Sequence, residues 1–329
     1  MPSLKEIKNR IASVHSTRKI TSAMKMVASS KLHHAQVAIE HMLPYENLLE
    51  HILKSFLVST PDANTVFSIE RPIKRVALLV FSSNSSLCGG FNANIIKSFQ
   101  NVVNEYLRNG ILKDDIIVYP FGRKISEKVS KLGFKTVDIP ISLADKPNSD
   151  GCRAIAVELE NLWIKGEIDK VEMIYYHFKS AGTQILTRKN YLPIDLKEEL
   201  STDKTRDLSS IIATKESQDY LKAHNKESYN RIEFTATPLN DNFIVEPDLK
   251  TVLSSLVPKL LHQMIYAALL DSNASEHAAR MVAMQTATDN ANELLRTLNL
   301  EYNKSRQAAI TAELLDLSLI HISEPTRPY

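Results

Sequence analysis

Stepping alternately by three and four from Leu4 passes through Ile7, Ile11, Val14, Arg18, Thr21, Lys25, Ala28, Leu32, Ala35, Ile39 and Met42. This is the heptad seam of a helix lying along another helix, with a polar interruption at Arg18, Thr21 and Lys25. Across the interruption Ile20, Met24 and Val27 form a second apolar stripe, which points to a surface other than the coil partner. Ser3-Leu4-Lys5-Glu6 opens the segment with the S-x-x-E spacing of a capping box. No proline follows until Pro44, so a continuous helix from Ser3 to Leu43 would be about 60 Å long.

The other end reads the same way. From Lys259 to Asp316 there is neither glycine nor proline, and a helix over that stretch would reach about 87 Å. Ser275, Ala279, Ala283, Ala287 and Ala291 recur at every fourth position, and a ridge of small side chains lets a second helix approach closely. Leu294, Leu298, Ala309 and Ala312 continue an apolar face. Such a stripe must be covered in water. The amino-terminal helix is the natural cover, brought back antiparallel by whatever lies between.

Between the ends the period changes. Arg75–Ser83, Asp115–Tyr119, Lys135–Ile139 and Val171–Lys179 read as strands, and Gln184–Ile194 as a strand returning as a hairpin through Gly182. Asn92–Arg108, Lys124–Leu132 and Asp150–Lys165 read as helices. Alternation of this kind predicts a mostly parallel, Rossmann-like sheet. All eight glycines lie from Gly89 to Gly182, and glycine is needed in tight turns but weakens a helix. The fold class expected is therefore α/β with long helices: an antiparallel coiled coil of the two ends plus a central α/β domain. The segments are an amino-terminal coil helix over 1–58, an α/β domain over 72–194, a charged insertion and return over 195–245, a carboxy-terminal coil helix over 246–317 and a tail over 318–329. Within the insertion, residues 195–230 have no clean period and read either as marginal helix or as chain without fixed structure.

Composition narrows the function classes. Forty basic and thirty-eight acidic residues give a net charge of +2, so no global field calls for a polyanionic partner. Cys88 and Cys152 are the two cysteines, too few for a disulfide scaffold or a thiol-rich zinc site, and suited to a reducing compartment. The amino terminus lacks the apolar core of a signal peptide. The apolar runs Val76–Phe81 and Met264–Leu270 fall short of the ~20 residues that span a bilayer.

Ser86-Leu87-Cys88-Gly89-Gly90-Phe91-Asn92 follows a strand and opens a helix, the place where doubly wound folds seat phosphates. It is neither G-x-G-x-x-G nor a P-loop, and reads as a tight turn, with a phosphate seat as the alternative. The histidines show no ligand spacing: His33 and His34, being adjacent, diverge by about 100° on a helix. Cys88 reads as a small buried residue rather than a nucleophile. Lys5, Lys8, Arg10, Arg18, Lys19, Lys25 and Lys31 face a single acid, Glu6, near the amino terminus. Nucleic acid, an anionic membrane, an acidic protein surface or plain solvation all suit such a helix.

Ile7-Lys8-Asn9-Arg10-Ile11 and Thr17-Arg18-Lys19-Ile20-Thr21-Ser22-Ala23-Met24-Lys25-Met26-Val27-Ala28-Ser29-Ser30-Lys31 closely resemble the opening of the gamma subunits of F-type ATP synthases. So does Ser275-Glu276-His277-Ala278-Ala279-Arg280-Met281-Val282-Ala283-Met284-Gln285-Thr286-Ala287-Thr288-Asp289-Asn290-Ala291 resemble a later block, and Tyr302-Asn303-Lys304-Ser305-Arg306-Gln307-Ala308-Ala309-Ile310-Thr311 another. Leu87-Cys88-Gly89-Gly90-Phe91-Asn92 looks like the family's central turn. The blocks stand in the family's order across roughly Pro2 to Asp316.

The resemblance implies a rotor shaft without catalytic residues or cofactors of its own. In the family it is a single copy in a hetero-oligomer with the α and β subunits of the F1 ring, the ε subunit and the c ring, and no nucleic acid. It implies a peripheral location on the cytoplasmic face of a bacterial inner membrane. By position, Met24 and Lys25 fall where the family faces an acidic lever loop of β. Arg280, Arg306, Gln307 and Thr311 fall where it hydrogen-bonds catch loops of the ring, a use that suits arginine's multiple donors. Phe243, Glu246 and Asp248 look like the foot near the c ring and ε. Three departures stand out: Ser85-Ser86 where many relatives have Arg-Gly, a long insertion over 195–230, and a tail, Leu317–Tyr329, without the family's usual Ile-Val-x-Gly-Ala close. That tail, with Pro325 and Pro328, reads as a frame error or read-through.

Two other classes fit the residues alone. One is a small-ligand-binding α/β module with helical dimerisation arms, its ligand near Gly89-Gly90. The other is a basic coiled coil that binds nucleic acid.

Overall fold

Val76, Ala77, Leu78, Leu79, Val80 and Phe81 are all buried, because the strand they form is covered on both faces. In the computed structural model, which describes residues 3–59, 66–194, 245–246 and 248–322, this strand, β1 (Val76–Phe81), is the centre of a five-stranded sheet. The other strands are β2 (Ile116–Phe121), β3 (Lys135–Thr136), β4 (Lys170–Ser180) and β5 (Thr183–Leu192), in the order β3-β2-β1-β4-β5. β1 pairs in parallel with β2 and β4, β2 in parallel with β3, and β4 antiparallel with β5. The expected parallel sheet with a hairpin edge is present. β3 is shorter than the Lys135–Ile139 expected, and the chain beyond it turns into a short helix, α4 (Ile141–Asp145), that the sequence pattern did not reveal.

Two long helices flank this domain in sequence, α1 (Leu4–Ser59) and α6 (Leu249–Ile322). The connecting helices are α2 (Phe91–Arg108), α3 (Arg123–Leu132) and α5 (Ser149–Ile164). Contacts divide the chain into two compact units, one of Met1–Val27 with Met281–Tyr329 and one of Ala28–Arg280.

In the larger unit the sheet faces two cores. Val76, Leu78 and Val80 meet Ile95 and Phe99 of α2 and Ile125 and Val129 of α3. Ala77, Leu79 and Phe81 meet Leu159 and Trp163 of α5, Leu53 of α1, and Val257, Leu261 and Ile265 of α6. α1 continues beyond Pro44, where the sequence reading ends its continuous stretch. A proline's missing N–H costs one ladder bond, and Leu49, Leu53 and Phe56 lie buried beyond it, so packing holds the helix together. Residues 268–278 of α6 are buried nearly all round. α6 contains a stretch long and apolar enough to cross a membrane by length and composition, with a mean hydropathy of 1.2 and 44% of it buried inside the protein. Core helices share that signature.

The smaller unit is a helix pair. Ser3 and Glu6 form the expected capping box: Ser3 N–H donates to Glu6 Oε2 at 2.8 Å and Glu6 N–H to Ser3 Oγ at 3.3 Å. On α6 the buried positions are Met281, Met284, Ala291, Leu295 and Leu298, with Thr288 half-buried, again in steps of three and four. Arg18 donates to Asn292 Oδ1 at 3.1 Å, and Thr21 meets Thr288 at 2.8 Å. Partner numbers rise on one helix as they fall on the other, which makes the pair antiparallel. The polar interruption is therefore a polar layer of the seam. Leu294, expected on the apolar face, is 38% exposed, and Leu295 takes its place. A strict step of four drifts by about 40° each time around the helix, so a ridge read that way leaves the seam within a few steps.

Candidate functional site

In a doubly wound sheet the ligand crevice lies beyond the carboxyl ends of the strands, where the strand order switches direction. Here that point is beside β1, with β2 on one side and β4 on the other. The turn after β1 is held by its own side chains. Asn92 Oδ1 accepts from Ser83 N–H at 3.1 Å, while Asn92 Nδ2 donates to Ser83 Oγ at 2.7 Å and Cys88 Sγ at 3.1 Å. Leu87 and Gly89 take positive φ, 68° and 58°, and Cys88 is buried. The tight-turn reading of Ser86–Asn92 matches this geometry.

The crevice itself is filled by α6. Asp271 Oδ2 lies 2.7 Å from His177 Nδ1 on β4. Asn273 Nδ2 donates to Ala144 O at 2.9 Å, and Ser275 Oγ to Tyr176 O at 3.4 Å. One turn on, Arg280 Nη1 bonds Glu276 Oε1 at 2.7 Å and His277 Nδ1 at 3.2 Å, and its Nη2 donates to Ser85 Oγ at 2.8 Å. Asp271 and Ser275 thus reach β4, Arg280 reaches the turn after β1, and Asn273 reaches α4.

Burial sets the charge states. It pushes the Glu276 carboxyl upward, with Arg280 opposing. It holds His277 down to about 3, with the positive fields of Arg280 and Lys31 adding to the effect. His277 is thus neutral near pH 7 and can accept from the Arg280 guanidinium through Nδ1.

A second charged cluster braces the sheet. Arg188 of β5 contacts Glu172 of β4 at 2.8 Å and Glu105 of α2 at 2.6 Å, and Lys170 meets Glu172 at 2.8 Å. Burial alone would raise Glu172, but hydrogen bonds from Arg188 and Lys170 hold it below the usual carboxylate range. No group of three or more His, Cys, Asp or Glu able to hold a metal ion occurs among the described residues.

The positions singled out by resemblance fall into different settings. Met24 and Lys25 are half-buried on α1, beside the exposed apolar side chains of Ile20, Met26 and Val27. Arg306, Gln307 and Thr311 are exposed on α6, with the Thr311 hydroxyl donating to Gln307 O at 2.9 Å. Arg280 is unlike them: it is 8% exposed and engaged with Glu276, His277 and Ser85. Asp248 caps α6, its Oδ1 accepting from Thr251 N–H at 3.1 Å, and hydrogen bonding to the Thr251 side chain and then to its backbone lowers the carboxyl pKa. Glu246 is exposed. Phe243, the 195–230 insertion and the last residues of the tail, 323–329, lie outside the described residues.

Sequence reasoning missed the pairing of Asp271 with His177 and the engagement of Arg280 with Glu276 and Ser85. The available signal was Asp271 directly after the apolar run Met264–Leu270, a carboxylate where only a paired one is tolerated.

Comparison with known proteins adds an independent line. The family model described as ATP synthase matches residues 3–318. The chain is 49% identical over 317 residues to an ATP synthase gamma chain of Phocaeicola vulgatus, covering 96% of this chain and 98% of that one. It is 50% identical to an ATP synthase gamma chain of Bacteroides fragilis, with the same coverage. Among solved structures it is similar to the rotor of the Euglena gracilis mitochondrial ATP synthase, with a TM-score of 0.54, 16% identity, and 93% of this chain and 98% of that one covered. It is also similar to the central stalk and c ring of the Tetrahymena thermophila mitochondrial enzyme, with a TM-score of 0.51, 24% identity, and 82% and 99% covered. At these identities the two structures speak to the fold.

Proposed function

The chain belongs to the ATP synthase gamma family, and from that premise we propose that it is the central rotor shaft of an F-type ATP synthase. It works inside a ring of α and β subunits and stands on the c ring beside ε, peripheral to the membrane through that complex, on the cytoplasmic face of a bacterial inner membrane. It performs no chemistry itself. Turning it presents different side-chain surfaces to each catalytic β site, and each site follows the conformation that the contacting face favours.

The observation that carries this reading is the antiparallel pairing of the terminal helices, with Thr21 against Thr288 and Arg18 against Asn292. Such a seam makes a rod out of helices that would be marginal singly. Met24, Lys25, Arg306, Gln307 and Thr311 are the proposed contacts with the ring, supported by their exposed or half-buried side chains. Arg280 is proposed to act from inside, holding α6 to the turn after β1. Glu246 and Asp248 are proposed to lie at the foot, near the c ring and ε. A nucleotide module is disfavoured because α6 and Asn92 occupy the crevice a nucleotide needs.

The test is reconstitution with α and β subunits from a relative. The expected result is a complex holding one copy of this chain, with ATPase activity that falls when Arg306 and Gln307 are replaced. Absence of any complex, with the family's usual closing segment restored after Asp316, would overturn the reading.

A further inference from the structure

A cavity of about 650 Å³ opens between α1, α5 and α6 in the larger unit, and we propose that it binds a phosphate-bearing small molecule. This goes beyond the shaft role and does not depend on it.

Two cationic side chains, Arg153 of α5 and Lys259 of α6, and two imidazoles, His41 of α1 and His262 of α6, line the cavity. Among the described residues no carboxylate lines it. Arg153 and Lys259 are exposed and take part in no ion pair or hydrogen bond among the described residues. Their charges are uncompensated and converge on one space. The hydroxyls of Ser149 and Ser255, also in the lining, add neutral donors. The field is felt locally, since Arg153 adds to burial in lowering the His262 imidazole. Glu160 Oε1 lies 3.0 Å from His262 Nε2 and is not among the described residues that line the cavity.

Two cationic side chains plus neutral donors suit an anion with several acceptor oxygens, as a phosphate has. The volume falls within the range of about 300–1,000 Å³ typical of small-molecule sites, so there is room for an organic group on the phosphate. Met42 and the rings of Tyr45 and Tyr266 provide the apolar contact for that group. A soluble phosphate ester and a phospholipid headgroup share this chemistry.

The test uses the full chain, with ATP as the soluble probe and phosphatidylglycerol–phosphatidylcholine vesicles as the headgroup probe. Calorimetric titration should detect at least one of them. The R153Q/K259Q double variant should lose affinity at least tenfold, whereas R153K/K259R should keep most of it, with melting unchanged because both residues are exposed. Binding should weaken with added salt. Response to ATP assigns a soluble ester, and response to vesicles alone assigns a headgroup. No binding of either probe at millimolar concentration overturns the proposal. So does equal affinity in R153Q/K259Q, or a loss that instead follows Asn92→Ala, which would put the ligand at the turn after β1.

Discussion

Thr21 Oγ1 and Thr288 Oγ1 stand 2.8 Å apart across the seam of the terminal helices, one hydroxyl donating and the other accepting. Replacing either threonine alone by valine removes the bond across the seam, leaving the other hydroxyl only the carbonyl of its own helix (Arg18 O for Thr21, Met284 O for Thr288), and should destabilise the helix pair by about 1 kcal/mol. The T21V/T288V double variant should recover much of that loss, because both partners then become apolar. A double-mutant cycle by thermal melting of the full chain checks this, and additive single losses would show that the contact carries no coupling.

Arg280 holds a more buried position. Its removal as R280A leaves the buried Glu276 carboxyl without its cationic partner, and losing one partner of a buried pair costs about 3–5 kcal/mol. E276Q/R280Q should be milder, since no lone charge remains. Urea midpoints of the variants decide it: R280A and the double variant with equal midpoints would mean that burial of charge is not what matters here.

The pH dependence should have two opposed contributions. His277 sits at about 3 in the folded chain against 6.5 ordinarily. Its contribution is complete above 6.5 and is lost as pH falls toward 3, with a slope of at most about 1.4 kcal/mol per pH unit. Burial raises Glu160 to about 7 from 4.5. Its contribution is present below 4.5 and is lost as pH rises through 7. H277N should therefore flatten the acid limb of a stability–pH profile, and E160Q the neutral limb. An unchanged acid limb in H277N would rule out His277 as its source.

Gly122 adopts φ +98°, and a Cβ there would stand 2.3 Å from Ser82 O. G122A should cost on the order of 3 kcal/mol, from backbone strain and the clash together. Gly182 has open space around it, so G182A should stay within about 0.5 kcal/mol of the parent. Comparable losses at both sites would contradict the geometry after β2.

Arg306 and Gln307 are exposed, so R306A/Q307A should melt with the parent. In a reconstituted complex its ATPase turnover should drop roughly tenfold, the size expected for losing one charge-assisted hydrogen bond. Parent-like turnover would remove these residues from the proposed ring contacts.

The capping box, the seam of α1, the alternation of strands and helices and the position of the central turn were all legible in the residues. Each depends on local periodicity or on short-range hydrogen bonds that a linear sequence displays. Leu4, Ile7 and Ala28 announce their face by spacing alone. The seam of α6 was read less well, because the four-step ridge through Ala279, Ala283 and Ala287 and the three–four seam through Met281, Met284 and Leu295 overlap in sequence. Only the partner's register, pinned by Thr21 and Arg18, distinguishes them.

The polar filling of the crevice was decided by tertiary structure. Ser85 and Arg280 are 195 positions apart, and His177 and Asp271 are 94 apart. Nothing in the local pattern of either segment names the other. A buried charge is tolerable only when its partner arrives from elsewhere in the fold, so that pairing exists only once the sheet has placed its strand ends against α6. Sequence thus determined which faces must be covered, and the fold determined what covers them.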